Sequence, residues 1–303
     1  MTRPAPNSLR IRAPAKLNWT LEVLGARPDG YHEVRTVLQT LALSDWVTLR
    51  PAAGLSLTLH GDAGPLANEP SDANLAYRAA ALLREQTGTR NGARIELEKG
   101  VPVAAGLGGG SSDAAAVLRG LCRLWNLSIS DDDLASLAAG LGADVPFFLR
   151  GGAALASGRG DAITPLPDGP PQRLVIAWPA RPAATDKTAR MYAALRPEHY
   201  TDGSRSERVR ARLRAGEAVA GDDLSNVFAE VLPVADPDAA RAFEAARALG
   251  RPHLAGSGPA FFFLLEPDQA AGPLLAGLDR LGLRAIETHT LAAAEAVAYE
   301  EVR

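Results

Sequence analysis

Residues 102–113 read Pro-Val-Ala-Ala-Gly-Leu-Gly-Gly-Gly-Ser-Ser-Asp, with glycine at 106, 108, 109 and 110. Glycines at this density pack no core and weaken any helix or strand interior. The Ala- and Leu-rich run that follows has helical spacing, so the glycines open a helix. A loop of that kind aims bare N–H groups and the positive end of the helix dipole at one spot. That is chemistry for a phosphate group. The dinucleotide fingerprint G-x-G-x-x-G would need glycine at 111 or 113, where Ser111 and Asp113 stand, and a Walker A loop would need a lysine that is absent here. A purely structural turn has little use for so many glycines.

Four further segments carry reactive or binding side chains: Pro14-Ala-Lys16-Leu-Asn18, Gly25-Ala-Arg-Pro-Asp-Gly30-Tyr31-His32, Gly142-Ala-Asp144-Val-Pro-Phe-Phe148 and Leu254-Ala-Gly256-Ser257-Gly258-Pro259. Taken singly, each has an ordinary reading. Lys16 is a solvated charge at a strand edge, Asp144 a turn or cap aspartate, Tyr31 the end of a turn, and Tyr192 helix packing. Taken together and in this order with the glycine loop, the segments resemble the GHMP kinase family over nearly the whole chain.

The resemblance implies an α+β fold of two domains. A ribosomal-S5-domain-2-like ATP-binding domain would span residues 1–163 and a ferredoxin-like domain residues 164–303, with the active site in the cleft between them. It implies that ATP, with Mg2+, gives its γ-phosphoryl group to the 2-hydroxyl of a cytidine-diphosphate-linked methylerythritol in the non-mevalonate route to isoprenoids. Lys16 and Asp144 match the catalytic pair, and Pro102, Val103, Ala104, Ala105, Gly106, Leu107, Gly108, Gly109, Gly110, Ser111 and Ser112 match the ATP loop. Asn18, Tyr31, His32, Thr188, Tyr192, Gly256 and Ser257 match substrate-binding positions; no metal ligand is named. Two departures stand out: Ala104-Ala105 replaces a glycine or small residue ahead of Gly106, tolerable unless a positive φ is needed there, and Arg181–Lys187 is more polar than the family's pattern.

The residue types suit that chemistry. Phosphoryl transfer needs the acceptor oxygen in line with the γ-phosphorus and charge neutralised around it. Asp144 is placed to take the hydroxyl proton, with Lys16 holding it ionised or steadying the transferring group. Tyr31 and Tyr192 offer faces on which a cytosine stacks, and His32 has polar atoms to read the base edge. Thr188 and Tyr192 are four apart and share a helix face. Rival readings are a sister kinase of homoserine or mevalonate type, which has no use for Tyr31-His32 or Tyr192, and a non-catalytic nucleotide-binding module.

Composition bounds the rest. A chain of 303 residues, 47% hydrophobic, buries a large core. A net charge of −3 and 5% aromatic content argue against nucleic acid and anionic membranes as partners. Cys122 alone excludes an internal disulfide and reads as a small buried hydrophobe. No apolar run is long enough for a bilayer, and the N-terminus lacks a signal core, which together predict a cytoplasmic protein, monomer or homodimer. Of 32 basic residues only Lys16, Lys99 and Lys187 are lysines. A lysine surviving such a bias marks a place where arginine would not serve.

The elements that must position these groups follow from periodicity. Short strands are predicted at 9–12, 18–24, 34–43, 45–50, 55–59, 93–98, 153–156, 174–178, 260–265 and 283–290. Helices are predicted at 74–85, 111–125, from Ser130 to Gly140 or Gly142, and at 188–195, 206–215, 237–248 and 269–281. The Pro165–Pro171 stretch reads as a boundary or exposed loop.

Overall fold

Alternation along the first fifty residues builds strands, and they are longer than periodicity suggests. The computed structural model describes residues 8–181 and 186–302. The predicted pairs 9–12 with 18–24, and 34–43 with 45–50, fuse into β1 (Leu9–Ala26) and β2 (His32–Ala52). The sequence breaks where it does because β1 and β2 shift register between Pro14 and Lys16, Asn18 and Thr20, and Val23 and Gly25. Bulges interrupt a period-2 pattern without ending a strand. The chain continues through β3 (Leu55–Gly61), α1 (Leu75–Thr87), β4 (Gly92–Lys99), α2 (Gly109–Leu124), α3 (Asp131–Leu141), α4 (Val145–Phe148), β5 (Ala153–Gly158) and β6 (Ala162–Leu166). Then come β7 (Arg173–Pro179), α5 (Lys187–Ala194), α6 (Ser204–Arg214), β8 (Ser225–Asn226), α7 (Phe228–Ala235), α8 (Pro237–Ala246) and β9 (His253–Leu254). The last elements are β10 (Phe261–Leu264), α9 (Gly272–Arg280), β11 (Leu283–His289), α10 (Ala293–Ala296) and β12 (Tyr299–Glu301).

Local signals explain some of the ends. Asn74 caps α1 through the N–H of Ala76, and Ser130 caps α3 through that of Asp133. The helix α7 escapes a periodicity search because it carries Pro233 in its last turn.

Two sheets result. The larger runs β12-β1-β2-β4-β3, with β5 and β6 continuing from the other end of β2 and β8 lying parallel to β1. The smaller is β11-β7-β10-β9, antiparallel throughout. The sheets do not divide along one cut in the sequence, since β8 and β12 return to β1. Period-2 alternation then sorts the core. In β7, Leu174 and Ile176 face a cluster shared with Ala15, Leu17 and Trp19 of β1, while Val175 and Ala177 face α5, α7, α8 and α9. In β10, Phe262 joins the first set and Phe261 and Phe263 the second. The helices α1 to α4 cover the larger sheet. No helix among the described residues is long and apolar enough to cross a membrane.

Behind the glycine loop lies a buried ionic group. The Lys99 ammonium donates to Asp45 and, at 2.7 Å, to Asp113, and all three side chains are almost wholly buried. Asp45 also accepts the N–H groups of Gly100 at 2.6 Å and Val101 at 2.7 Å, so it fixes the backbone entering the loop. Asp113, one turn into α2, ties the start of that helix to Lys99. Asp113 therefore sits in the core as a partner of Lys99 and caps nothing. The two carboxyls differ: Asp45 has three donors, Asp113 has one, and its Oδ1 has no partner among the described residues. Burial, against the pull of Lys99 and reinforced by Asp45, pushes the Asp113 carboxyl up to about 8. The thiol of Cys122 is likewise pushed up by burial, to about 11, which suits an inert side chain.

Asp113→Asn, an isostere of the protonated acid, is expected to cost less than about 1 kcal/mol in a urea melt at pH 6.5. Lys99→Met, which strands the Asp45 charge, is expected to cost about 3–5 kcal/mol. Unfolded, Asp113 loses its proton near pH 4, about its ordinary value; folded, it keeps it to about 8. Its contribution therefore weakens as pH rises through that window, and Asp113→Asn is expected to flatten the slope. Equal large losses from both variants would mean that Asp113 is ionised.

Candidate active site

The bulge after Pro14 frees the N–H of Lys16 from β2, and it donates instead to the carbonyl of Leu107 in the glycine loop at 2.8 Å. The strand that carries Lys16 is thereby tied to the loop. Lys16 is 5% exposed, on a strand paired on both sides, and is no solvated edge charge. Its Nζ donates to Asn18 Oδ1 at 3.0 Å and lies 3.5 Å from Asp144 Oδ2. Asn18 Nδ2 donates to Thr36 Oγ1 at 2.7 Å, and that hydroxyl donates to the carbonyl of Thr20. The chain of donors fixes the Asn18 amide so that its oxygen faces the ammonium. Asp144 stands at the N-cap position of α4, yet its side chain caps nothing there. It is turned to Lys16 and to the cleft.

That cleft has a volume of about 870 Å³. Lys16, Asn18, Tyr31, His32, Asp144, Thr188, Tyr192, Gly256 and Ser257 all line it, together with Ala104, Gly106, Gly108 and Ser111 of the glycine loop. The remaining loop residues play other parts. Ala105 and Leu107 are core side chains that anchor the loop, and Ser112 is 1% exposed with no partner for its hydroxyl among the described residues. Gly109 and Gly110 begin α2. Pro102 and Val103 line a separate hollow with Trp178 and Arg284. Ala104 adopts φ 55°, the left-handed conformation that glycine would take more readily. Its carbonyl accepts from Lys187 Nζ at 2.9 Å.

Two loops meet across the floor of the cleft at backbone contact. A Cβ on Gly106 would stand 2.5 Å from the carbonyl of Ala255 and 2.8 Å from that of Gly258, and one on Gly256 would stand 2.8 Å from the Gly106 carbonyl. The Ala260 N–H donates to the Ala105 carbonyl at 3.1 Å. Asn226 Nδ2 holds the second loop by donating to the carbonyls of Leu254 and Gly256. Ser257 Oγ and Thr188 Oγ1 are 2.9 Å apart, so the loop is also joined to α5.

The other end of the cleft is aromatic. Asp29 Oδ1 accepts the N–H of Tyr31 at 3.1 Å, and Gly30 takes φ 83°, which explains why the turn reads Asp-Gly before the tyrosine. Tyr31 is 55% exposed, with the Arg159 guanidinium 4.8 Å from its ring centre. His32 stacks on Tyr192, ring centres 5.0 Å apart at 25°, and Phe228 meets Tyr192 edge-on. One face of Tyr192 is thus already covered by an imidazole, a contact the sequence does not reveal. Burial and the Asp144 charge push the Tyr192 hydroxyl up to about 12.

Sequence reasoning missed Thr36, Arg159, Lys187 and Asn226. Strand register and loop closure bring in Thr36, Arg159 and Asn226, and no local motif marks them. Lys187 has one signal, the scarcity of lysine. It is buried, its Nζ donates to the carbonyls of Ala104 and Gly258, and burial with the nearby Lys16 charge pulls it down to about 8.

Comparison with known proteins fits this geometry. The N-terminal domain of the GHMP kinases matches residues 74–152. The 4-diphosphocytidyl-2-C-methyl-D-erythritol kinase of Symbiobacterium thermophilum is 43% identical over 291 residues, covering 93% of this chain and all of the relative. A crystal structure of 4-(cytidine 5'-diphospho)-2C-methyl-D-erythritol kinase superposes with a TM-score of 0.76 at 37% identity, covering 93% of this chain and 98% of that one. Homoserine kinase from Cytophaga hutchinsonii superposes with a TM-score of 0.77 over 99% of each chain, but at 19% identity it shares the fold alone. With that identity over nearly its full length, the chain belongs to the 4-diphosphocytidyl-2-C-methyl-D-erythritol kinase family of the GHMP kinases.

Proposed function

We propose that the cleft transfers the γ-phosphoryl group of ATP to the 2-hydroxyl of 4-diphosphocytidyl-2-C-methyl-D-erythritol, in the cytoplasmic supply of isoprenoid precursors. The observation that carries this is the Lys16–Asp144 pair, 3.5 Å apart, beside the glycine loop in one cleft. Asp144 receives the proton of the acceptor hydroxyl. Lys16, oriented by Asn18, meets the charge that develops on the transferring group. The N–H groups of the glycine loop and the start of α2 hold the ATP phosphates. Tyr31 stacks on the cytosine, His32 on Tyr192 reads its edge, and Thr188 with the Gly256-Ser257 loop positions the erythritol end.

Asp144 is the one carboxylate among the described residues that line the cleft, and no cluster of three acidic, histidine or cysteine side chains is found among them. That donor set fits a Mg2+ held largely by phosphate oxygens and water, with Asp144 and the Ser111 hydroxyl as the oxygen ligands in reach of the loop. The ion supplies charge neutralisation on the phosphates when bound.

Phosphorus NMR of the protein with Mg-ATP and the cytidyl substrate tests the reading. A new phosphomonoester signal rising with ADP is expected, and Asp144→Asn is expected to lower turnover by about 10²-fold or more. ADP formation without the phosphomonoester would remove the substrate assignment. Tyr31→Ala is expected to raise the KM for the cytidyl substrate about tenfold, from one lost stacking face, with the KM for ATP nearly unchanged. Equal rises in both would take Tyr31 away from the base.

A further inference from the structure

Lys187 opens α5 and is 8% exposed. Its ammonium donates to two carbonyls, Ala104 at 2.9 Å and Gly258, which belong to the two loops that meet under the cleft. An ammonium has three N–H groups, so one is left over. The side chain lines the cleft in company with Lys16. The charged groups acting on it are Lys16 on β1 and Asp236 at the N-cap of α8. Asp236 is itself engaged, accepting from Arg181 at 2.6 Å and from the N–H of Ala239. Two ammoniums thus share a sheltered cleft whose lining offers one carboxylate, 38% exposed and paired with Lys16. The arrangement is short of negative charge at the point where the two loops join.

We propose that Lys187 is a second phosphate-binding cation of this site, which clamps the glycine loop to the Gly256–Gly258 loop and turns its free N–H to the oligophosphate of a bound substrate. This rests on the reading of the cleft as a kinase site and adds to it a residue with two linked tasks. The carbonyl contacts set the distance between the loops, and the charge answers the phosphates they enclose. A lysine is needed because one small nitrogen presents three donors, two of them to carbonyls of the two loops, where the flat, wider guanidinium of arginine is a poorer fit. The lowered proton affinity of Lys187, to about 8 through burial and then Lys16, is what a cation awaiting its counter-charge shows. A bound phosphate reverses the imbalance and raises it again.

Calorimetric titration of the wild-type protein with Mg-ADP at pH 8.5, in buffers of different ionisation enthalpy, reads the number of protons taken up. Net uptake is expected at pH 8.5 and little at pH 6.5, where the ammonium is already formed. Lys187→Met is expected to abolish the uptake at pH 8.5, to raise the Kd for Mg-ADP at pH 6.5 about tenfold or more, and to raise the KM for ATP by a larger factor than it lowers kcat. A Lys187→Met protein that melts earlier yet binds Mg-ADP with wild-type affinity and the same proton uptake would overturn the proposal and leave Lys187 a strut between loops. Should that variant not fold, absence of uptake by the wild type at pH 8.5 would overturn it equally. Tight Mg-ADP binding with Lys187-dependent uptake, but no turnover of the cytidyl substrate, would sink the proposed substrate and leave this inference standing.

Discussion

The cleft exists because two loops can touch at the backbone. Gly106 and Gly256 each stand where a single Cβ would collide with a carbonyl of the other loop. Close approach lets the Ala260 N–H reach the Ala105 carbonyl, and lets one ammonium, that of Lys187, span both loops. It also brings the N-terminal strand with Lys16 against the same loop through the Leu107 carbonyl. The glycines therefore serve two ends. They leave N–H groups bare, as the proposed phosphate site requires, and they remove the side chains that would hold the two loops apart. A glycine loop read only as a phosphate cradle misses half of that constraint.

The division of labour between lysine and arginine follows from the same tightness. All three lysines are buried, at 5%, 8% and 8% exposure for Lys16, Lys99 and Lys187. Each ammonium sits among acceptors set by backbone or by short side chains: Asn18 and Asp144, Asp45 and Asp113, Ala104 and Gly258. A compact point charge with rotatable donors fits such places, and a rigid fork does not. Most arginines instead meet carboxylates on the surface, as Arg241 does with Asp238 and Arg251 with Asp222. Others do not: Arg119 reaches the carbonyls of Phe148 and Arg12 from α2, and Arg196 those of Ala193 and Leu195.

Much of the site was legible in the sequence, and the reason is local. The glycine loop, the Asp-Gly turn before Tyr31 and the cap position of Asp144 are written in consecutive residues. Their convergence on one cleft was legible only through the family resemblance, because periodicity says nothing about which loops meet. What stayed hidden depends on register. Thr36 reaches Asn18 across the strand pair, and the bulge that frees the Lys16 N–H appears only once β1 and β2 are aligned. The role of Asp113 stayed hidden for a different reason: nothing near it in sequence shows that Lys99, fourteen residues back, enters the core to meet it. The strands of the first half were divided too finely because bulges and prolines mimic ends.

The two ends of the cleft are built to different tolerances, and the chemistry explains why. At the end proposed for the phosphates, backbone groups and buried cations are fixed before any ligand arrives, so charge developing in the proposed transfer meets donors that need not reorganise. Fixing them costs stability elsewhere: a left-handed alanine at 104, an acid at 113 deprived of full solvation, and two ammoniums sharing one cleft. At the end proposed for the base nothing of the kind is paid. Tyr31 is largely exposed, held by its turn and by the Arg159 guanidinium over its ring, and the imidazole of His32 rests on Tyr192 with an ordinary ring contact. Stacking tolerates a displacement of some tenths of an ångström, whereas in-line transfer between oxygens does not. Under the proposed function, strain and buried charge accumulate where position would decide the rate, and soft aromatic contact suffices where only affinity is at stake.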